Sequence, residues 1–369
     1  MSTERKGDSW VSSASRRRTR PRYIRWTLLG AIPVLLLFVA GFSSCVTGSP
    51  LYLWGAASGQ VSILCARKPI SDVLLNPDLE PETRRKLELV LKVQDFARSQ
   101  LHLDTGSSYK YFSRIDRDAA AYNVVAAESL ALKAHTYWFP IVGTVPYLGF
   151  FSREEASQHA DSLRQEGLDV LVQDVAGYST LGWFDDPLLS SQLQYSDYGL
   201  VRLVIHEAVH ATVWIPGSVT FNESLASFVE EKGADQYVRS QDPDGSRMRR
   251  ILKYRAESQD YRRLLRQTAA ELEKMYQSTE SDEEKLRKKA RIIGNLREIV
   301  RRQPWQVLSP SELADKDYNN AFFLSYLTYN TGNPYFEAVF ADCSEDWICF
   351  LNRMKSLDKP PEDWHSVGE

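Results

Sequence analysis

Cysteine is scarce in this chain, with four in 369 residues, and no two of them fall in a C-x-x-C pair. That spacing excludes a zinc ribbon and C-x-x-C chemistry as carriers of function. An excess of either charge is lacking too. The 45 Lys and Arg stand against 48 Asp and Glu, a net −3, which offers no electrostatic case for a nucleic-acid partner. The basic residues gather at 16–25 and 247–302. The second cluster is interleaved with Glu257, Asp260, Glu271, Glu273, Glu283 and Glu284, so it reads as a solvated helical hairpin with i,i+4 pairs. Internal repeats are absent, which argues against a solenoid. Histidine numbers only six, so two of them close together carry weight.

What is present is an ordinary globular composition, 43% hydrophobic and 25% charged, enough apolar material for one large core or two smaller ones. The N-terminus departs from it. A basic stretch at 16–22 precedes an uncharged apolar run from Trp26 to Ser44, close to the roughly 20 residues that span a bilayer as a helix. The positive flank predicts a cytoplasmic N-terminus, with the chain after Cys45 outside the cytoplasm. An uncleaved signal anchor and a signal peptide ending at a lipidated Cys45 both remain open. Phe42-Ser43-Ser44-Cys45 resembles a bacterial lipobox, with Phe42 in place of the usual aliphatic residue. Beyond it, a Cys343–Cys349 bridge is allowed in that compartment and leaves Cys65 over.

The expected organisation is a disordered basic segment at 1–25, a transmembrane or lipoprotein signal segment at 26–45, a folded domain at 50–345 and a polar C-terminal tail at 346–369. Within the domain, Pro81 opens a helix. Aromatic and β-branched residues with Gly and Pro punctuation at 106–151 predict short strands, followed by a helix at 152–167 and a strand at 169–175. Residues 178–184 read as extended, ended by a turn at Asp185-Asp186-Pro187. Helices are expected from near Asp197, from Asn222 to a stop at Gly233, through a charged hairpin at 240–302 broken at 278–282, and from Tyr318 to Tyr329. The fold class is α+β and predominantly helical.

The chemistry centres on His206-Glu207-Ala208-Val209-His210. Spacing of i and i+4 puts both imidazoles on one helix face, where both can reach a Zn²⁺ ion at about 2.0–2.1 Å. Glu207, one residue after the first imidazole, suits a general base that takes a proton from water and returns it to the leaving amine. The helix is otherwise apolar nearly all round, and buried polar groups in such a setting need partners. A catalytic zinc requires a third protein ligand. The third histidine of the metzincin pattern is missing, its Gly and His positions being held by Val213 and Pro216. A downstream carboxylate remains: Glu223, 13 residues after His210, or Glu230, 20 after it. Thr220-x-x-Glu223 also fits a capping box, which would leave Glu223 a structural role.

The run Asn222-Glu223-Ser224-Leu225-Ala226-Ser227-Phe228-Val229-Glu230 is similar to the N-E-x-x-A-S-x-V-E segment of membrane-alanyl type aminopeptidases. That resemblance implies Glu223 as the third ligand. Over residues 50 to 340 the chain resembles the bacterial "putative aminopeptidase" family, through residues 178–187, the H-E-x-x-H helix and Phe221-Asn222-Glu223. The resemblance implies a zincin-like domain of the gluzincin type, one zinc per chain and a peptide substrate; with the N-terminal segment, the expected place of cleavage is the periplasmic side of a bacterial cell membrane. A non-catalytic zinc-stabilised scaffold and a zinc amidase acting on cell-wall peptides are the competing readings.

Further roles are expected on general grounds. Tyr178, Leu181 and Trp183 lie on a candidate strand edge for holding a peptide backbone. Tyr329, with Tyr318 and Tyr326, is a candidate oxyanion donor. Asp185, Asp186, Glu230 and Glu231 are candidate anchors for a free amine.

Overall fold

The structure, a computed structural model, describes residues 63–106, 109–139, 143–177, 186–328, 334–362 and 364. Strand β1 (Lys68–Pro69) leads into helix α1 (Ile70–Leu74). Helix α2 (Pro81–Gln100) begins as expected at Pro81, where the Glu80 carboxylate accepts from the backbone N–H groups of Glu82 and Thr83. Proline at this first position loses no helical bond.

The strands follow, with one helix among them: β2 (Tyr111–Ser113), β3 (Ala121–Ala127), β4 (Tyr137–Phe139), β5 (Gly143–Val145), β6 (Tyr147–Phe150), α3 (Arg153–Gln165), β7 (Asp169–Val175) and β8 (Leu188–Leu189). The main sheet has the antiparallel order β6-β3-β7. Helix α3, capped by Ser152, lays Ala156, Ala160 and Leu163 on Tyr122, Val124, Leu148 and Val170 of that sheet. A smaller sheet joins β1, β2 and β8, with β2 and β8 parallel.

Helices α4 (Asp197–Thr212) and α5 (Val219–Ser240) pack on each other more extensively than any other pair of elements, with α2 against α4. Their core includes Leu87, Val90, Leu101, Leu200, Val204, Ile205, Phe221, Leu225 and Val229. The expected stop at Gly233 is corrected: α5 runs seven residues past it to Ser240. A Cβ at Gly233 would lie 2.6 Å from Leu101 Cδ1 and 3.3 Å from Ile205 Cδ1. Gly233 therefore serves close helix packing rather than helix ending.

The hairpin forms as expected. Helices α6 (Ser246–Tyr276) and α7 (Asp282–Arg302) meet at a break starting at Gln277, and with α8 (Pro310–Ala314) and α9 (Asn320–Thr328) they enclose a second core around Leu265, Leu272, Leu296, Val300 and Phe323. Helix α10 (Pro334–Asp342) comes next, and the expected polar tail from 346 is corrected. Residues Trp347–Lys355 form α11, which buries Trp347, Phe350, Leu351 and Met354 in the α4–α5 core. A helical spacing of apolar residues was hidden there among charges. Cys343 and Cys349 form a disulfide at the α10–α11 turn, with Cα atoms 5.7 Å apart, and Cys65 is free and exposed.

Residues Leu51–Glu369 form one compact unit. The architecture is α+β and mostly helical. Among the described residues no helix is long and apolar enough to cross a membrane; the apolar run from Trp26 to Ser44 and Cys45 lie outside them.

Candidate metal centre

Helix α4 is apolar because it passes through the core, burying Leu200, Val201, Val204, Ile205, Ala208 and Val209. His206 and His210 therefore leave the helix one turn apart on its remaining face. Their rings are nearly perpendicular and 4.7 Å apart, with the two Nε2 atoms 3.1 Å from each other. Glu223, in the second turn of α5, closes a triangle. Its carboxylate oxygens stand 3.3 Å from His206 Nε2 and 3.4 Å from His210 Nε2.

That triangle has the size a metal requires. Bonds of about 2.0–2.1 Å at tetrahedral angles separate ligand atoms by about 3.3–3.4 Å; here the two Nε2 atoms are 3.1 Å apart, and Glu223 turns one oxygen to each of them, Oε2 at 3.3 Å from His206 and Oε1 at 3.4 Å from His210. The three side chains form the described residues' one cluster of potential ligand atoms within 4.8 Å of each other. The imidazoles are mostly buried, while the Glu223 side chain is 46% exposed, so the cluster opens to solvent on the carboxylate side.

Two devices hold the triangle. The first is the turn between α4 and α5. The buried Asn222 side chain accepts from Ile215 N–H at 3.0 Å and donates to Ile215 C=O at 2.9 Å. This double bond across the turn fixes where α5 starts and so where Glu223 points. Thr220 lies inside α5, whose N-cap is Ser218, so the capping box expected as an alternative role for Glu223 does not form.

The second device stands behind His206. Its Nδ1 is 3.0 Å from Glu230, which also accepts from Arg202. With Nδ1–H donating to that carboxylate, the Nε2 lone pair faces the triangle; the tautomer is assigned from this network. Glu230 thus sits behind the imidazole, outside the triangle and 9% exposed, neither a member of the cluster nor the solvated residue its charged neighbours imply. His210 lacks such support. Its Nδ1 is buried without a partner among the described residues, and the Trp214 ring packs edge-on to it at 5.4 Å.

Glu207, Glu223 and Glu230 surround the two imidazoles, with Arg202 paired to Glu230. Burial pulls the His206 imidazolium down, but Glu223, Glu230 and Glu207 outweigh it and raise its pKa to about 10. The imidazoles of His206 and His210 hold the Glu223 carboxyl well below the usual range. Burial pushes Glu207 up, against the pull of the two imidazoles and with help from Asp186 and Glu223. Three carboxylates gathered around two imidazoles fit a divalent ion chemically as well as in size.

The other expected residues fare unequally. Asp186 is buried and lies in the electrostatic surroundings of Glu207. Glu231 pairs with Arg255 at 3.4 Å. Tyr318 and Tyr326 belong to the second core, where the Tyr318 hydroxyl bonds Tyr261 and the Leu313 carbonyl; the late helix does not bring them to the triangle. Tyr178, Leu181, Trp183, Asp185 and Tyr329 lie outside the described residues. Arg202, which pairs with Glu230 behind His206, is a residue that the sequence pattern did not single out. Arg202 stands one helical turn before His206 and could have been found by that spacing.

No curated protein and no solved structure matches the chain. A family model described as "Putative aminopeptidase" matches residues 51–366, nearly all of the compact unit, and the chain belongs to that family.

Proposed function

We propose that this protein is a zinc-dependent peptidase, of the aminopeptidase type its family suggests, acting outside the cytoplasm on an N-terminal tether. One observation carries the reading: the two Nε2 atoms of His206 and His210 converge with the Glu223 carboxylate into one cluster of potential ligand atoms, and Glu207 follows His206 on the same helix turn. Zinc bound there supplies a Lewis acid and makes a water molecule acidic near neutral pH. His206 and His210 hold their Nε2 lone pairs toward the ion, and Glu230 fixes the His206 ring. Glu207 accepts the proton of the attacking water. Burial, which already raises the affinity of this carboxyl for a proton, suits it to carry that proton and deliver it to the leaving nitrogen. The extracytoplasmic location rests on the basic stretch at 16–22 and the apolar run that follows it.

The test uses the zinc-loaded protein, a peptide library and metal analysis. Wild type is expected to bind one zinc per chain and to release residues next to free N-termini. Glu207→Gln is expected to keep the zinc and lose hydrolysis by at least ~10²-fold. Hydrolysis surviving at the wild-type rate sinks the mechanism, and cleavage within blocked peptides changes the type to endopeptidase.

A further inference from the structure

The chain between the second ligating histidine and the ligating glutamate, Ala211 to Asn222, contains no charged residue. Its apolar side chains divide by side. Val213, Ile215 and Phe221 are buried in the core, whereas Trp214 is 38% and Val219 51% exposed. Val213 leaves α4 in extended backbone, φ −137° and ψ 122°. Successive residues of an extended segment point to opposite sides, so burying Val213 and Ile215 turns Trp214 outward. The turn that follows is fixed: Ser218 N–H donates to the Ile215 carbonyl at 3.2 Å, and Asn222 holds Ile215 through its two side-chain bonds. Trp214 and Val219 flank this turn.

Trp214 turns out against the metal cluster itself. Its ring stands edge-on to His210, with centroids 5.4 Å apart and planes at 78°, and His210 meets His206 in the same manner at 4.7 Å. The indole thus continues the row of rings outward from the cluster. Val219 does the same on the other helix. It is the first residue of α5, one turn before Glu223, whose side chain is 46% exposed. Both ligating rows therefore run on into exposed apolar groups at the turn. Orienting His210 occupies only the part of the indole that touches it, and the exposed remainder is apolar surface that another apolar group can cover.

We propose that Trp214, with Val219 at its rim, is the specificity subsite of this centre and takes a large apolar or aromatic side chain from the peptide residue at the bond held over the metal. The assignment rests on the peptidase reading above and adds the class of residue that is cleaved. The chemistry of the stretch selects that class. A charged side chain finds no counter-charge between His210 and Glu223, and Glu223 itself is committed to the metal. An aromatic ring or a branched aliphatic chain buries apolar area against the indole and can meet it edge to face, as His210 does. Alanine in the same position reaches little of that surface.

The experiment gives the zinc-loaded full chain, in detergent, peptides that differ in one residue, Phe, Leu, Ala, Lys or Glu, placed in turn on either side of the cleaved bond. Wild type is expected to favour Phe and Leu over Ala by at least about 10-fold in kcat/KM on one side, with Lys and Glu behind. Trp214→Ala should shrink that Phe-over-Ala ratio by at least about 10-fold. A ring that only supports His210 predicts otherwise: its loss would weaken zinc binding and slow all five peptides alike, and that outcome overturns the assignment. Val219→Asp keeps the indole and puts a carboxylate at a helix N-terminus, where it is tolerated. It should raise the Lys peptide against the Phe peptide by at least about three-fold. If Trp214→Ala does not fold, Val219→Asp decides alone. Either folded variant leaving its ratio unchanged overturns the assignment and leaves the peptidase reading in place, as does a change seen in phospholipid vesicles but not in detergent, which would give this face to lipid. Binding of the same peptides to zinc-loaded Glu207→Gln, with and without Trp214→Ala, needs no turnover. If wild type cleaves no peptide the peptidase reading falls, and the Phe-over-Ala ratio of dissociation constants then decides this assignment by itself.

Discussion

Two helical pairs, α4–α5 and α6–α7, place their charges in opposite ways. Along α6 and α7 most charged side chains face water and many pair within their own helix, as Arg263 does with Asp260, Arg287 with Glu283 and Arg301 with Glu298; Arg255, Glu257 and Lys289 are exceptions that reach other elements. Along the facing parts of α4 and α5 the surroundings are apolar. The few ionisable groups there, Arg202, His206, Glu207, His210, Glu223 and Glu230, converge on one point. Charge at the water surface is replaceable because solvent takes over each lost contact. Charge gathered in an apolar interior is not, because each removed partner leaves another uncompensated. The first arrangement keeps a hairpin soluble, and the second prepares a site.

The largest effect that would break this contrast is expected inside α4–α5. His206→Ala or Glu223→Ala should abolish stoichiometric zinc binding, checked by metal analysis after dialysis; either variant holding one zinc per chain would remove it from the ligand set. Glu230→Gln should be milder. It keeps a partner for His206 Nδ1 but no longer the charge, and loss of such support typically lowers metal affinity about 10–100-fold. Competition with a chelator of known affinity measures it, and an unchanged affinity would reduce Glu230 to a packing residue.

The metal-free protein adds a pH dependence. A His206 pKa raised to about 10, above the unfolded value of about 6.5, makes the proton a competitor of the ion. Zinc affinity should therefore rise with pH across that interval, with release of a proton that calorimetry in buffers of different ionisation enthalpy can count. In the absence of metal the sign for stability is the reverse. The His206 contribution is fully present below about pH 6.5 and is lost as pH rises through about 10.

How much of this could be read from the chain differs between the pairs for the same physical reason. The α6–α7 hairpin was legible in its course and, to within a residue, in its break, expected at 278–282 and found between Tyr276 and Asp282, though its first helix starts at Ser246 rather than 240, because a solvated amphipathic helix writes its period into the order of residues. In α4–α5 the His206-His210 pair was legible through i,i+4 spacing and Glu223 through the resemblance carried by Asn222-Glu223, but the length of α5 was not. Gly233 has the composition of a helix stop, and only the approach of Leu101 and Ile205 shows that it serves packing. The role of Glu230 was obscured for a related reason: beside Glu231 and Lys232 it looks solvated, and burial against His206 is a tertiary fact.

The contrast can be sharpened by one substitution on each side. At Gly233, Ala adds a single methyl group where Leu101 Cδ1 stands 2.6 Å away. The better helix propensity of alanine, worth roughly 1 kcal/mol at most, is opposed by overpacking of about 1–3 kcal/mol. Gly233→Ala should thus lower the melting temperature, and because Ile205 precedes His206 it should loosen zinc as well. A rise in melting temperature would mean that Leu101 can swing aside. The smallest effect belongs to Arg287→Ala on α7. This side chain is 58% exposed, and its partners Glu283 and Glu284 are 81% and 35% exposed, so water replaces most of what is lost. A change in melting temperature below about 1 °C is expected at 0.15 M salt, with zinc affinity unaltered. A larger loss would show that the hairpin's surface pairs act together as a network, and the two helical pairs would then differ less than their burial implies.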